Sequence, residues 1–427
     1  MNFITSSMNV SGENTRNVLM IAGANCVHSV VFRQVERLRK SNQYTFSGFG
    51  FGSPNGRVGH TDPSAIFDRF EEWPEPPGRP RGLKSAFQLV PHVAHGLLGH
   101  RPPWEARNWK ERAIDSATDA FCNTDHRKSL DGYDLYHWHY FAPDRLSLLK
   151  QLRRNAKVVI SLWGSDLYRT AGIREYAKQF EACSRATVFT VATPEMQATF
   201  LAKFGHQWSE KVRLLSYGAH NLENIEAARP KSESVLKELG IPANKILVSV
   251  GNSAVPGNQH LAALEAIKKL NPELLQSLAI VVPMTYSAPP GYTEKVREAA
   301  SEIGTTVSIV DQFLSDEAVS ALRCSTAIAI HIPISDQFSA SMCEALYAGA
   351  VLITGSWLPY SRLRSNKIVF HEIAAVSDLT AKLNQVVSDF PSERSRAAQN
   401  AKPIWDLMAW ERVTPKWLAL YEEVLSG

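Results

Sequence analysis

Cysteine is scarce in this sequence, and the spacings that give cysteine a structural role are missing. The five cysteines, Cys26, Cys122, Cys183, Cys324 and Cys343, are scattered with no CxxC pair. They read as reduced, mostly buried thiols of a cytosolic protein, not as a disulfide framework or a zinc site. No run approaches the roughly 18 consecutive apolar residues of a membrane-spanning helix, so none is expected. The opening MNFITSSMNVSGENTRN is polar and has no apolar core of the signal-peptide kind. Net charge is only +4, too small to argue for nucleic acid as a partner. No GxGxxG follows the first apolar run, so a dinucleotide fingerprint is absent. His92 and His95 have no further ligand pattern around them, and no metal site is read there. No repeat of solenoid period is visible.

What is present is an ordinary globular composition, 44% hydrophobic and 21% charged over 427 residues, a length that suggests two or three domains. Short apolar runs alternate with helical patterns, the mark of doubly wound α/β domains with parallel sheets. Asn17–Gly23 is a first strand, with Asn25 and His28 on the loop after it and a helix over about 29–41. Such loops carry ligand contacts in this fold class; His28 is equally read as a helix-capping histidine. Asp134–His139, Lys157–Leu162, Thr187–Val191 and Val212–Leu215 continue the series, and Thr193-Pro194 reads as an N-cap with proline at N1. A second series follows a charged linker over 221–245, with strands at Ile246–Val250, Leu278–Val282, Val307–Val310, Ala327–Ile330, Val351–Thr354 and Lys367–Phe370. The division expected is 1–225, 226–405, and a C-terminal helix over 406–427.

Two stretches depart from that alternation. Residues 52–130 are rich in Pro, Gly, Trp and Arg, with an apolar segment at Ser85–Leu98. Two readings stand for it: a membrane-surface element flanked by Arg, Lys and Trp, or a flap packed on its own domain. A helix expected over Pro143–Asn155 carries Arg145, Lys150, Arg153 and Arg154. It reads either as a face for an anionic bilayer or as a solvated surface helix.

The richest stretch is Ile328–Gly355. A strand ends at His331-Ile332-Pro333, a polar turn carries Asp336 and Ser339, and a helix runs over Ala340–Tyr347. A helix N-terminus at the carboxyl end of a strand offers free N–H groups and a favourable dipole to an anion, and Ser339 and Ser341 add hydroxyls. Asp336 and Glu344 lie eight residues apart. They read either as acceptors for the hydroxyls of a sugar diol, facing one crevice, or as a cap and a solvated helix acid. Trp163-Gly164-Ser165-Asp166, at the end of the Lys157–Leu162 strand, is the matching feature of the first domain. Alternation puts His137 and His139 on one face of their strand.

The order of these motifs resembles glycosyltransferases of the GT-B fold, over about residues 17–425 apart from the insertion. YDLYHWH at 133–139 is similar to the D-h-h-H-x-H strand of family 4 retaining enzymes. WGSD at 163–166 sits where that family has HGxD, and Asp336-x7-Glu344 where it has E-x7-E. Trp410-Glu411 with the following helix is similar to the segment that crosses back to the first domain. The loop Gly251–His260, with Val282–Tyr286, looks instead like the inverting family that transfers 4-acetamido-4,6-dideoxygalactose. The resemblance departs in three places. The Gly251–His260 loop has no Arg or Lys, Trp163 replaces a histidine, and Asp336 replaces a glutamate.

The resemblance implies an α/β GT-B fold of two Rossmann-like domains facing across a cleft. It implies glycosyl transfer from a nucleotide-diphosphate sugar to a glycan or lipid-linked acceptor in bacterial lipopolysaccharide or exopolysaccharide synthesis. Neither metal nor cofactor is expected, and the place of work is the cytoplasm, at the inner face of the membrane. Asn252, Ser253, Asn258 and His260 (the last if protonated), with Ser339, Ala340 and Ser341, are expected at the diphosphate. Gln312 and Phe313 are expected at the base, Glu344 at the ribose and Asp336 at the donor sugar. Asn25, His28, His137, Trp163 and Gly164 fall on the acceptor side, with Asp166 or His139 as the acceptor's base; Asp166 is equally read as a helix cap. Two other activities fit the same residues: a sugar-nucleotide epimerase that hydrolyses its donor, and a non-catalytic sugar-nucleotide-binding scaffold.

Overall fold

The computed structural model describes residues 15–22, 28–51, 62–72, 126–143, 145–170, 172–242, 244–285 and 288–427. Two parallel sheets organise them. The first holds β1 (Arg16–Ile21), β2 (Tyr44–Phe51), β3 (Arg69–Glu72), β4 (Leu135–His139), β5 (Lys157–Ser161), β6 (Val188–Val191) and β7 (Val212–Leu214), in the order β3-β2-β1-β4-β5-β6-β7. The second holds β8 (Ile246–Val250), β9 (Leu278–Pro283), β10 (Thr306–Val310), β11 (Ile328–His331), β12 (Val351–Gly355) and β13 (His371–Ile373), in the order β10-β9-β8-β11-β12-β13. Central strands such as β9 and β12 are largely apolar and buried at every position, as strands covered by helices on both faces must be. In each sheet the strand order reverses once, between β1 and β4 and between β8 and β11. Those two switch points open crevices at the strands' carboxyl ends, where ligands of doubly wound sheets bind.

Several expected elements move. β2, β3 and the short helix Pro63–Ile66 had no counterpart in the sequence reading. The last strand is not Lys367–Phe370 but His371–Ile373; Lys367 has φ +56°, a left-handed turn that a strand cannot contain. The basic helix over Pro143–Asn155 contracts to a 3₁₀ turn, Leu146–Gln151, whose Leu146, Leu148 and Leu149 are buried. Lys150 pairs with Glu181 at 3.0 Å and Arg153 with Asp131 at 2.5 Å, so two charges proposed for a bilayer face already have acidic partners. The apolar segment Ser85–Leu98 lies outside the described residues.

The chain ends in the helix Trp410–Ser426, which packs on the first sheet. Trp417 Nε1 donates to the Ser216 carbonyl at 3.1 Å, and the Tyr421 hydroxyl meets His137 Nδ1 at 2.7 Å. Gly218 makes room for this crossing, since a Cβ there would lie 2.5 Å from the Trp410 ring. The two halves also meet at their carboxyl ends. Arg362 donates to the Ala192 carbonyl at 2.8 Å and to Ser216 Oγ at 3.0 Å, and the Ser361 N–H donates to Glu195 at 2.9 Å.

Candidate active site

The turn between β11 and the helix Ala340–Tyr347 builds the second-domain side. Ser339 is the N-cap, accepting from the Met342 N–H at 3.4 Å, and the helix keeps the bounds its sequence suggests. Asp336 Oδ2 accepts from the Ser339 N–H at 3.0 Å and from the Tyr360 hydroxyl at 2.5 Å, and lies 3.5 Å from His331 Nε2. His331 Nε2 meets the same Tyr360 hydroxyl at 2.9 Å. Burial pushes the Asp336 carboxyl up, but the bonds from His331 and Tyr360 more than offset it and hold it below the usual carboxylate range. Asp336 is therefore ionised at neutral pH.

Glu344 turns elsewhere. It is 3% exposed. One carboxylate oxygen accepts from the Asn221 N–H at 3.0 Å and the other lies 3.4 Å from Arg323 Nε. The two acids thus have separate partners and do not share one crevice. Asp336 precedes the N-cap, so the eight-residue interval is not a pair of regular helical turns. With both oxygens engaged and buried, Glu344 offers no open face to a diol in this conformation.

The loop after β8 faces this turn. Asn252 Nδ2 donates to Ser341 Oγ at 2.8 Å, and Ser341 Oγ pairs with Ser339 Oγ at 2.8 Å. This chain of amide and hydroxyls ties the Gly251–His260 loop to the N-terminus of the helix Ala340–Tyr347. The other candidate donors of the loop serve each other. Asn258 Nδ2 donates to the Ser253 carbonyl at 2.9 Å and to Ser253 Oγ at 3.0 Å, and both residues are buried. His260 is also buried, and burial lowers its pKa to about 4. It is neutral at pH 7 and cannot add the charge expected of it. Its Nδ1 meets Tyr292 at 3.1 Å, while Nε2, with no hydrogen-bond partner, sits 2.5 Å from where a Gly251 Cβ would be. Gly251 has φ +69°, so both backbone and packing demand glycine there. Gln312 and Phe313 are exposed beyond the end of β10, Phe313 by 45%.

On the first domain His139, a candidate base, and His137, expected on the acceptor side, are both internal. His137 and His139 do share a face, with ring centroids 4.1 Å apart, but that face looks into the core. His137 bonds to Tyr421 and to Ser161 Oγ, both at 2.7 Å. His139 meets Tyr217 at 3.2 Å and Met20 Sδ at 3.4 Å and is 1% exposed. Burial pushes His139 down to about 3 and His137 well below its ordinary value. Both rings are buried and engaged by other side chains, so neither is open to an acceptor hydroxyl in this conformation. Asp166 is buried too. Its carboxylate accepts from the Phe141 N–H at 2.6 Å and the Trp163 N–H at 2.9 Å, tying together the chain beyond β4 and β5. Burial raises its pKa to about 6 although these backbone bonds oppose the shift. The N-cap residue of the one-turn helix Ser165–Tyr168 is Gly164, which has no side chain to cap it. Asp166 therefore braces the turn at the start of this helix. Trp163 stacks on Tyr217 at 4.7 Å and is half-buried. His28 begins the helix His28–Arg39, and Asn25 lies outside the described residues.

The two sides touch. Gly164, at φ +89°, comes so close to Gln337 that a Cβ would lie 3.0 Å from the Gln337 Cβ. Arg169 Nε donates across the cleft to Ser335 Oγ at 3.1 Å. The sequence reading missed Arg169, Tyr360 and His331 as parts of this site. Among the described residues no group of three His, Cys, Asp or Glu is arranged to hold a metal ion.

Two doubly wound parallel sheets face each other across their switch points, and the C-terminal helix returns to the first. The fold is that of the GT-B glycosyltransferases. The chain is similar to Anabaena HepE, solved with UDP and glucose, at TM-score 0.67 and 11% identity, covering 96% of this chain and 100% of that one. It is similar to sucrose-phosphate synthase from Thermosynechococcus elongatus at 0.68 and 13%, covering 96% and 99%. A glycosyltransferase from Rickettsia africae matches at 0.67 and 15%, covering 96% and 99%. A family model described as 4-alpha-L-fucosyltransferase, glycosyl transferase group 56, matches residues 114–324, just under half of the chain. No curated protein sequence matches it.

Proposed function

We propose that this chain transfers a sugar from a nucleoside-diphosphate sugar to a hydroxyl of a glycan or lipid-linked acceptor, in bacterial surface polysaccharide synthesis. The observation that carries this is the Asn252–Ser341–Ser339 chain at the β8/β11 switch point. It gathers neutral donors and the N-terminus of the eight-residue helix Ala340–Tyr347 in one crevice, a combination suited to a phosphate group. The matched family model is described as a fucosyltransferase, and 4-acetamido-4,6-dideoxygalactose, the sugar suggested by the Gly251–His260 loop, is likewise a 6-deoxygalactose. Both favour a 6-deoxygalactose-type donor. The complexes of Anabaena HepE with UDP, and with UDP and glucose, favour a nucleoside diphosphate as its carrier.

In this reading the donor's diphosphate lies against Asn252, Ser341 and the N–H groups of the helix start. Asp336, ionised and held by Tyr360 and Ser339, stands beside the sugar. Its negative charge favours the oxocarbenium-like transition state. Glu344 acts at one remove, fixing the segment at Asn221 against the donor helix. Asp166 shapes the loop that closes on the donor. An acceptor carried on a lipid fits the exposed apolar stripe Ile173, Tyr176 and Phe180, with Arg174 and Lys178 beside it, on the helix Ile173–Arg185. The reaction is metal-independent and takes place on the cytoplasmic side of the membrane.

Incubation with a panel of nucleotide sugars, with and without extracts of undecaprenyl-linked glycans, tests the reading. Nucleoside diphosphate released only with acceptor is expected, with activity unaffected by EDTA. Release without acceptor, giving an altered sugar, identifies an epimerase instead. Tight binding with no turnover identifies a scaffold. Sedimentation with anionic liposomes that is lost at high salt is expected of the surface contact.

A further inference from the structure

The Gly251–His260 loop faces the proposed diphosphate without a single Lys or Arg, and its one imidazole is held neutral by burial. A departing diphosphate needs positive charge, and helix-end donors alone supply only partial charges. We propose that Arg169 supplies that charge from the opposite domain, so that the leaving group is neutralised only when the cleft is closed. The inference rests on the nucleoside-diphosphate reading above.

Three observations place the guanidinium. Its Nε donates to Ser335 Oγ, on the turn before the helix Ala340–Tyr347. Its Nη2 lies 3.9 Å from where a side chain at Gly257 would begin. Gly257 and that turn are themselves joined, because the Ile334 N–H donates to the Gly257 carbonyl at 2.8 Å. Arg169 therefore lies at ordinary van der Waals distance from a Cβ at Gly257, between the two loops that flank the proposed phosphate site. Among the described residues no carboxylate forms an ion pair with it, although the arginines at 33, 37, 153 and 213 all have one. Its base is fixed: Lys203 Nζ donates to the carbonyls of Leu167 and Thr170 on either side. A planar fork of donors on a clamped turn suits two phosphoryl oxygens better than a flexible ammonium.

The charge balance explains why the cation belongs on the closing domain. As the bond from C1 to the β-phosphate oxygen breaks, its electron pair stays with that oxygen and the diphosphate gains one negative charge. The acceptor oxygen forms the new bond to C1 and its proton passes to solvent. A cation that arrives with the acceptor domain favours departure once both substrates are enclosed, and leaves the donor less activated in the open enzyme.

The test uses Arg169→Ala, Arg169→Lys and, as a control on an exposed cation far from the cleft, Lys402→Ala. Nucleotide affinities are measured for UDP, dTDP and GDP and for the matching monophosphates, beside kcat/KM with the active nucleotide sugar. Arg169→Ala is expected to lower kcat/KM about 100-fold and diphosphate affinity about 10-fold, with monophosphate affinity and Tm unchanged. Arg169→Lys should recover about half of the loss on a logarithmic scale, and Lys402→Ala should match wild type. Arg169→Ala within twofold of wild type in both kcat/KM and diphosphate affinity overturns the proposal, as does an equal loss for monophosphates. If wild type binds diphosphates but transfers no sugar, the transferase reading fails separately. The role of Arg169 then stands or falls on the diphosphate-to-monophosphate ratio alone.

Discussion

Replacing Tyr360 with phenylalanine removes one oxygen from the centre of the second-domain site. That hydroxyl donates to Asp336 Oδ2 at 2.5 Å and meets His331 Nε2 at 2.9 Å. Burial and the neighbouring carboxylate hold the phenol well above its ordinary pKa, so it is a neutral donor at any working pH. The bond to Asp336 is charge-assisted and worth about 1.5–3 kcal/mol; the bond to His331 adds about 1 kcal/mol. His331 and Asp336 are already 3.5 Å apart and recover part of this by closing together, which leaves a net loss of about 2–3 kcal/mol. For a domain of this size each kcal/mol moves Tm by about 2–4 °C, so a fall of about 4–12 °C is expected by calorimetry. The pH dependence carries the sign. A carboxyl held below its unfolded value stabilises the fold above that value, and the stabilisation is lost as pH falls through the folded value. The gap between wild type and variant should be widest at neutral pH and should shrink in acid. Turnover should fall as well, because Asp336 loses one of the bonds that orient it. Equal midpoints at pH 7, or a gap that widens in acid, would refute this account of how Asp336 is kept ionised.

Other substitutions probe the closed cleft and the buried charges. Gly164→Ala places a Cβ 3.0 Å from Gln337 on a backbone at φ +89°; kcat should drop about 10-fold while nucleotide affinity in equilibrium titration stays put, with a Tm change equivalent to about 1–2 kcal/mol. Glu344→Ala leaves the buried Arg323 without its carboxylate and should cost about 3 kcal/mol in urea unfolding; wild-type stability with abolished nucleotide binding would return Glu344 to the ribose. His139 has its pKa lowered to about 3 by burial, so the unfolded chain takes up a proton near pH 6.5 that the fold resists. Stability should therefore decline from about pH 6.5 toward 3, and His139→Gln should flatten that limb of the acid unfolding curve.

Local chemistry made much of the fold legible. Alternating apolar runs and amphipathic helices give β1, β4–β6 and β8–β12, and the caps at Thr193 and Ser339 act as their residue types suggest. The strands that escaped notice lack that signature. β2 reads YTFSGFGF, and its Gly48 is needed because the Phe67 ring lies 2.6 Å from any Cβ there. β3 is the edge strand RFEE, with Arg69 and Glu71 exposed. The site was less legible because its residues are assigned by remote partners. Alternation put His137 and His139 on one face, yet only Tyr217, Tyr421 and Met20, from three other segments, show that this face is core. Glu344 is claimed by Asn221, 123 residues away. Arg169 belongs to no motif, and only the approach of the two domains gives it a meaning.

Asp166, a candidate base in the sequence, holds the turn of the first domain that meets the second. Asp166 binds the backbone at Phe141 and Trp163, Gln179 donates to the carbonyls of Phe141 and Asp166, and Lys203 ties down Leu167 and Thr170. Three side chains thus hold one short turn, and that turn presents Gly164 to Gln337 at one end and Arg169 to Ser335 at the other. The burial that raises the Asp166 pKa to about 6 means that the ionised form costs about 3 kcal/mol at neutral pH relative to an exposed aspartate. A neutral amide cannot replace it without cost, because it would turn an N–H toward one of two backbone N–H donors. A costly buried anion is retained where it accepts from both strand ends, and what it secures is the surface that meets the second domain.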